Sequence, residues 1–311
     1  MLAKRTERAL ALALLCSSAA LAQPAAITVC IAADNPPLSH LVAGQPRGLD
    51  VRIAQAAADS LGRPLKLLPF ESEYEKESSL AHEVAALLSA GLCDAVSGIP
   101  LLHGDFGPPS RASSRTPDVP GAKRKRERPY ITLQAMAPGR AYISAALGVV
   151  LPAGAPPLDR LGELGERKLA VTSGTLGGTV AMGWKFGALR KQLVSLNQRE
   201  SPLDELAKPA AGAPARFDAV MLPLALFDGW RLLHPGATLV AAGWRRPIGV
   251  NLGFATLASD TTLRPALDAV ISRALADGSL ARWAADEGVS WSAPVAPDVG
   301  RGPSLLELMA D

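Results

Sequence analysis

Histidine and cysteine are scarce: four and three in 311 residues. His40, His82, His103 and His234 stand at no zinc-ligand spacing such as H-x-x-x-H. No G-x-S-x-G turn is present to expose a nucleophilic serine. His40, His103 and Asp105 form the one set that folding could gather into a metal or acid/base group, but a lone loop histidine is more often solvated or structural. The expectation is therefore a non-enzyme with no metal and no cofactor. Aromatic residues make up only 5% of the chain, so aliphatic side chains and alanine must fill the core. Beyond the first twenty residues no apolar run is long enough to cross a bilayer.

What is present begins with an export signal. Lys4, Arg5 and Arg8 precede the apolar run Ala9–Leu15, and Ala20-Leu21-Ala22 fits a small-x-small cleavage site. Residues 1–22 are read as a signal peptide and the mature protein as periplasmic. Cys16 follows Leu15, which is too bulky for lipoprotein processing. Cleavage removes three basic groups and one acid, leaving a nearly neutral chain with no global field favouring nucleic acid. The basic run "AKRKRERP" at 122–129 is read as a solvated loop. Cys30 and Cys93 remain, each in or beside a short apolar strand. An oxidising compartment permits a disulfide if those strands are parallel neighbours; two buried thiols are the alternative.

Strand and helix patterns alternate along the mature chain. "ITVCIAA" reads as a strand; Leu49, Ile53, Ala57 and Leu61 mark one helical face; "LKLLPF" is a strand; Leu80, Val84, Leu87 and Leu88 mark a second helix after Ser79; and "CDAVSGI" is a strand. This order implies a parallel sheet with right-handed crossovers. Residues 107–125, rich in proline, glycine and basic side chains, are expected to be a mobile excursion. Beyond Pro129 a second α/β unit follows: "AYISAALGVVLP", "KLAVTS", a short helix from Ser201-Pro202, "FDAVMLP", a helix over Leu224–Leu233, and "ATLVAA". "VNLGFATLA" and two helices return the chain to its first unit, and the tail after Trp291 is expected to drape over the surface.

The stretch "KLAVTSGTLGGTVAMGWKFGAL" has the strand–turn–helix layout of a phosphate loop, yet Gly174 to Thr179 contains no lysine and its glycines are not spaced G-x-G-x-x-G. What survives is a helix start whose unpaired amides favour a small anion. Ser173 and Thr175 add hydroxyl donors. A tight turn with no ligand is the alternative.

The order of these segments resembles the family 3 (type 2) periplasmic solute-binding proteins over nearly the whole mature chain. "DNPPLS" with "GLDVRIAQAAADSLG", "LLSAGLCDAVSGI", "RPYI", "LAVTSGT", "FDAVM" and "LADGSLARWAADEGVSW" carry the resemblance. It implies an α/β, two-lobed fold with two crossover strands: lobe one at 27–139 and 249–291, lobe two at 140–248, and a tail at 292–311. A ligand would lie between the lobes, at Asp34, Asn35, Gly98, Ile99, Pro100, Tyr130, Ser173, Gly174 and Thr175. Amino-acid binders of the family carry an aromatic after the first Pro-Pro, an arginine after the first Asp-Ala strand and an aspartate after the second. Here those places hold Leu38, "PLLHGDFG", and Leu222 with Pro223. The expectation is a small polar or anionic solute other than an ordinary amino acid, with an ABC transporter permease as partner. "VCIAADNPPLS", "GLCDAVSGIP" and "RERPYI" also resemble accessory proteins of periplasmic quinoprotein (methanol-type) dehydrogenases. That implies a dehydrogenase partner instead, contacted through the basic excursion.

Overall fold

The computed structural model describes residues 24–72, 79–122, 128–208 and 215–309; the signal-peptide reading and the 123–127 core of the basic run lie outside them. Strands β1 (Ile27–Ala32), β2 (Leu65–Phe70) and β3 (Ala95–Pro100) alternate with helices α1 (Leu49–Ser60) and α2 (Leu80–Ser89). β1 pairs in parallel with both β2 and β3. After β4 (Met136–Pro138) comes β5 (Ile143–Pro152). The second unit holds β6 (Leu169–Thr172), α3 (Leu176–Gly183), β7 (Leu193–Leu196), α4 (Pro202–Ala207), β8 (Ala219–Pro223) and α5 (Leu224–Leu233). The 19-residue β9 (Leu239–Leu257) leads back to α6 (Leu263–Ala276), α7 (Ser279–Asp286) and the terminal α8 (Leu305–Met309).

Local signals set these limits. Gly48 precedes α1 at φ 120°, and a Cβ there would sit 2.5 Å from the carbonyl oxygen of Pro37, so only glycine lets the loop fold onto the helix start. The Ser79 hydroxyl accepts from the His82 amide at 3.3 Å and caps α2. Ser201 caps α4, with Pro202 at its first position.

The hydrogen-bonded order is β7-β6-β8-β5-β9-β3-β1-β2, with β4 on β9. This ladder is continuous, yet it serves two separate cores. Strands β1–β3 are covered by α1, α6 and α7 on one face and α2 on the other. Strands β6–β8 are covered by α3 on one face and α4 and α5 on the other. The antiparallel strands β5 and β9 join them. Ile143 lies in the first core and Leu147 in the second; on β9, Ile248 packs on the second core and Leu252 on the first. Register shifts fall at Ser144/Ala146 and Gly148/Val150, and Gly249 within β9 takes φ 74°. The crossovers are therefore where the ladder bends, and the fold is two-lobed.

Three expectations change. "ATLVAA" and "VNLGFATLA" are one strand: the intervening "GWRRPIG" stays paired, with Arg245, Arg246 and Pro247 opposite Gly148, Leu147 and Ala146. The excursion is tethered: Gly107 donates to the Met136 carbonyl, Ser113–Ser114 pair with Ile131–Thr132, and Glu71 donates its amide to Asp118. The tail does more than drape. The Asn251 side-chain amide donates to the carbonyls of Val295, Pro297 and Asp298, and Leu308 is buried in the second core.

Candidate functional site

The first wall stands at the C-terminal ends of β1 and β3, where ligands meet open α/β sheets. Past β1, Asp34–Asn35, Ser39–Val42 and Gln45–Arg47 form a small antiparallel sheet. Behind it, Asp50 opens α1 and is wholly buried. Its amide donates to the Leu38 carbonyl at 2.9 Å, and Oδ1 accepts from the Tyr142 hydroxyl at 2.5 Å. Oδ2 has no partner within good hydrogen-bond geometry, although the Ser97 hydroxyl faces the same carboxyl. Burial raises the Asp50 carboxyl to about 7, against the opposing pull of Tyr142 and Ser97; burial together with Asp50 pushes the Tyr142 phenol well up. Gly98, at φ 69°, faces this group: a Cβ there would stand 3.0 Å from Asp50 Oδ2 and 3.2 Å from the Asn35 side-chain nitrogen.

Asn35 and Gly98 thus come together. Asp34 is exposed beside them on the small sheet, and Pro100 is half-buried against Leu252. Ile99 is buried in the α2 core, so its backbone pairs along β9 while its side chain turns away from the cleft. Tyr130 is 61% exposed, and the Arg115 guanidinium lies 4.7 Å from its ring centroid. The alternation along β3 and the helical face of α1 were legible without showing that Asp50 and Tyr142, the two polar groups at the centre, would meet. "GLD" at the helix start was the available signal.

The second wall is the β6–α3 turn. Ser173 Oγ lies 2.6 Å from Ser195 Oγ, and the Ser173 amide donates to the Leu196 carbonyl. The Thr175 hydroxyl donates to the Thr172 carbonyl at 2.7 Å and accepts from the Gly178 amide at 3.2 Å. This corrects the expectation that the Thr175 hydroxyl and the Ser173 amide face a solute: both are committed to the turn. The amides of Gly174 and Gly177 remain as its donors. The glycines themselves answer to packing. A Cβ on Gly178 would lie 2.7 Å from the Thr172 carbonyl oxygen, and one on Gly177 3.3 Å from that of Met221. Thr175→Ala should cost about 1 kcal/mol of stability through the lost cap, read as a lower denaturant midpoint.

The lobes also touch directly. Gly229 on α5 packs against Pro36 of the first wall: a Cβ at Gly229 would reach Pro36 Cγ at 3.5 Å. Next to it, the buried Asp228 carboxylate accepts from the Ser290 amide and hydroxyl, both at 2.6 Å, and Arg231 donates to the Gly288 carbonyl. Residues 288–290 follow α7, so α5 is fastened to the other lobe. Among the described residues no three metal-ligating side chains come together; the His40 backbone pairs across the small sheet, and His103 donates its amide to the Gly300 carbonyl.

No family model and no curated sequence matches the chain. Solved structures match its fold. A substrate-binding domain of a putative amino acid ABC transporter from Streptococcus pneumoniae is similar over 85% of this chain and 100% of its own, at 14% identity and TM-score 0.57. Substrate-binding domain 2 of Lactococcus lactis GlnP, in its open conformation, matches over 86% and 97% at 14% identity and TM-score 0.59. The unliganded L-cystine solute receptor of Neisseria gonorrhoeae matches over 89% and 95% at 18% identity and TM-score 0.54. At these identities the likeness defines the class of fold, the two-lobed periplasmic binding fold. No helix among the described residues is long and apolar enough to cross a membrane.

Proposed function

We propose that this chain is an exported solute-binding protein whose two lobes, expected at 27–139 with 249–291 and at 140–248 but exchanging cores between Ile143 and Leu147 on β5 and between Ile248 and Leu252 on β9, close on a small polar or anionic solute. The observation that carries the reading is the pair of cores joined by two antiparallel strands, with both walls at strand ends. The hinge is placed where β5 and β9 change core, and closure is a rotation about those strands. Asn35 and the backbone at Gly98 present one wall; the Gly174 and Gly177 amides, at the positive end of α3, present the other and favour a negative group. Asp34 stands at the exposed edge. Solute binding by the amino acid transporter domains and the cystine receptor of the same fold supports the role but not the solute.

The groups that would grip an amino acid are missing. Leu38 is buried in the first core rather than offered to a ligand; Leu101, which follows Pro100, is also buried; and Leu222 is buried at the end of β8. A thermal-shift screen reads binding directly, because a solute held at 100 times its Kd stabilises the folded state by about 2.7 kcal/mol. A small carboxylate or other anion should raise Tm, whereas the twenty amino acids should leave it unchanged. Micromolar binding of any of them in calorimetry would contradict this assignment.

A second reading keeps the fold and makes the chain an accessory protein of a quinoprotein dehydrogenase. The Cys30–Cys93 disulfide joins two of the segments that carry that resemblance, and the tethered excursion supplies Arg111 and Arg115. Loss of a co-purifying dehydrogenase on deletion of residues 107–128 would favour it over transport.

A further inference from the structure

Strands β5 and β9 are not the only segments that cross between the two cores. The tail runs beside β9 in the opposite direction, from the first lobe to the second. Its near end is pinned on the first lobe's side. Gly300 donates to the Leu101 carbonyl and accepts from the His103 amide, both at 2.9 Å. The Asp298 carboxylate accepts from the Ala141 amide at 3.3 Å, and Asn251, next to Leu252 of the first core, donates to three tail carbonyls and accepts from the Val295 amide. The far end belongs to the second lobe: Leu308 is buried in that core, and Arg246 donates to the Glu307 carbonyl. Between these ends, backbone lies on backbone where β9 changes core. A Cβ on Gly249 would stand 3.0 Å from the Gly302 carbonyl oxygen, and one on Gly300 2.9 Å from that of Gly249, so glycine at 249 and 300 lets the two chains cross this closely. Beside the contact a cavity of about 600 Å³ opens between tail and strand, bordered by His103, Asn251, Arg301, Ser304 and Glu307, which leaves the tail room to shift.

We propose that residues 298–308 are a strap, a third connection between the lobes, which limits their rotation about β5 and β9 and is released at its α8 end. The inference rests on the two-lobed reading of the fold. Two crossover strands alone permit rotation at their bends. A third segment held on both sides must stretch, slide or detach as the angle changes. Its two ends differ in strength. The near end is held by several hydrogen bonds around Asn251 and Gly300. The far end is α8, five residues long, too short to hold a helix by itself, so its order depends on Leu308 in the second core. The lobes therefore reach their widest range of angles only when α8 leaves its seat. A tail that served the second lobe alone would have no use for the bonds to Leu101 and His103.

The test is pulsed electron resonance with spin labels on cysteines at the exposed Val42 and Thr179, one in each lobe. The parent is compared with a chain ending at Pro303 and with Leu308→Ala, which loosens the far end at full length. Both variants should broaden the distance distribution about twofold or more. Labels at Thr179 and the exposed Leu226, both in the second lobe, should keep the parent distribution. The shortened chain decides, and Leu308→Ala decides in its place if that chain does not fold. Equal broadening of the pair within the second lobe would mean that the tail only holds that lobe together, and would overturn the proposal. An unchanged distribution between the lobes would overturn it too. If Gly229→Leu, which presses on Pro36 of the other lobe, shifts that distribution where strap removal does not, the lobes rotate and the strap inference falls alone. If neither shifts it, the two-lobed reading falls and the strap with it.

Discussion

Alanine at both Cys30 and Cys93 should lower the stability of the first lobe by about 4 kcal/mol, the loop-closure entropy that a cross-link over a 63-residue separation removes from the unfolded chain. The bond joins neighbouring parallel strands: Cys30 on β1 lies opposite Val96 of β3, and the two Cα atoms are 5.7 Å apart. Both cysteines are buried in the α2 core, so reductant alone will act slowly on the folded protein and the double substitution is the cleaner experiment. The second lobe has its own core and no share in the cross-link. Denaturation of the variant should therefore separate into an early transition for the first lobe and a late one near the parent midpoint. A single transition at the parent midpoint would show that the disulfide contributes nothing.

The second large effect concerns Asp50. Burial pushes its carboxyl up to about 7 in the folded chain, well above the usual carboxylate range. Between about pH 4 and 7 the folded state therefore holds a proton that the unfolded state has released. Folding stability contributed by this group is fully present below about pH 4 and is lost as pH rises through about 7, on the order of 4 kcal/mol in all. Asp50→Asn keeps the acceptor for Tyr142 and cannot ionise. Relative to the parent, the variant should gain steadily in stability from pH 4.5 to 7.5, measured by urea midpoints across that range. Parallel curves would mean that the Asp50 carboxyl stays ionised throughout and that its environment is wetter than its burial implies.

Much of this architecture was readable from local chemistry. The alternation of strand and helix, the serine caps at Ser79 and Ser201 and the glycine stops followed from short-range rules. Long-range pairing decided the rest. "GWRRPIG" looks like a break because of its polar, proline-bearing composition, yet β5 gives its backbone partners, and β9 runs straight through. The excursion at 107–122 has no period because its order comes from single bridges to Met136, Ile131 and Glu71. At the candidate site, Asn35 and Gly98 were expected from the ends of their strands. Asp50 and Tyr142 are 92 residues apart and meet only after the sheet has formed. The contact of Arg115 with the Tyr130 ring joins residues of two segments and has no short-range signal. The Thr175 hydroxyl, read as a donor to a solute, is consumed by the helix it caps.

The central claim is that two lobes rotate about β5 and β9 around a shared cleft, and the Gly229–Pro36 contact gives a way to move them without knowing the solute. Leucine at Gly229 would drive a branched side chain into Pro36 and wedge the lobes apart. Spin labels on cysteines introduced at the exposed Val42 and Thr179, one in each lobe, would report the separation by pulsed electron resonance. The account predicts a longer and broader distance distribution for Gly229→Leu than for the parent. Identical distributions in a folded Gly229→Leu protein would mean that the two halves form one rigid body, and would contradict it.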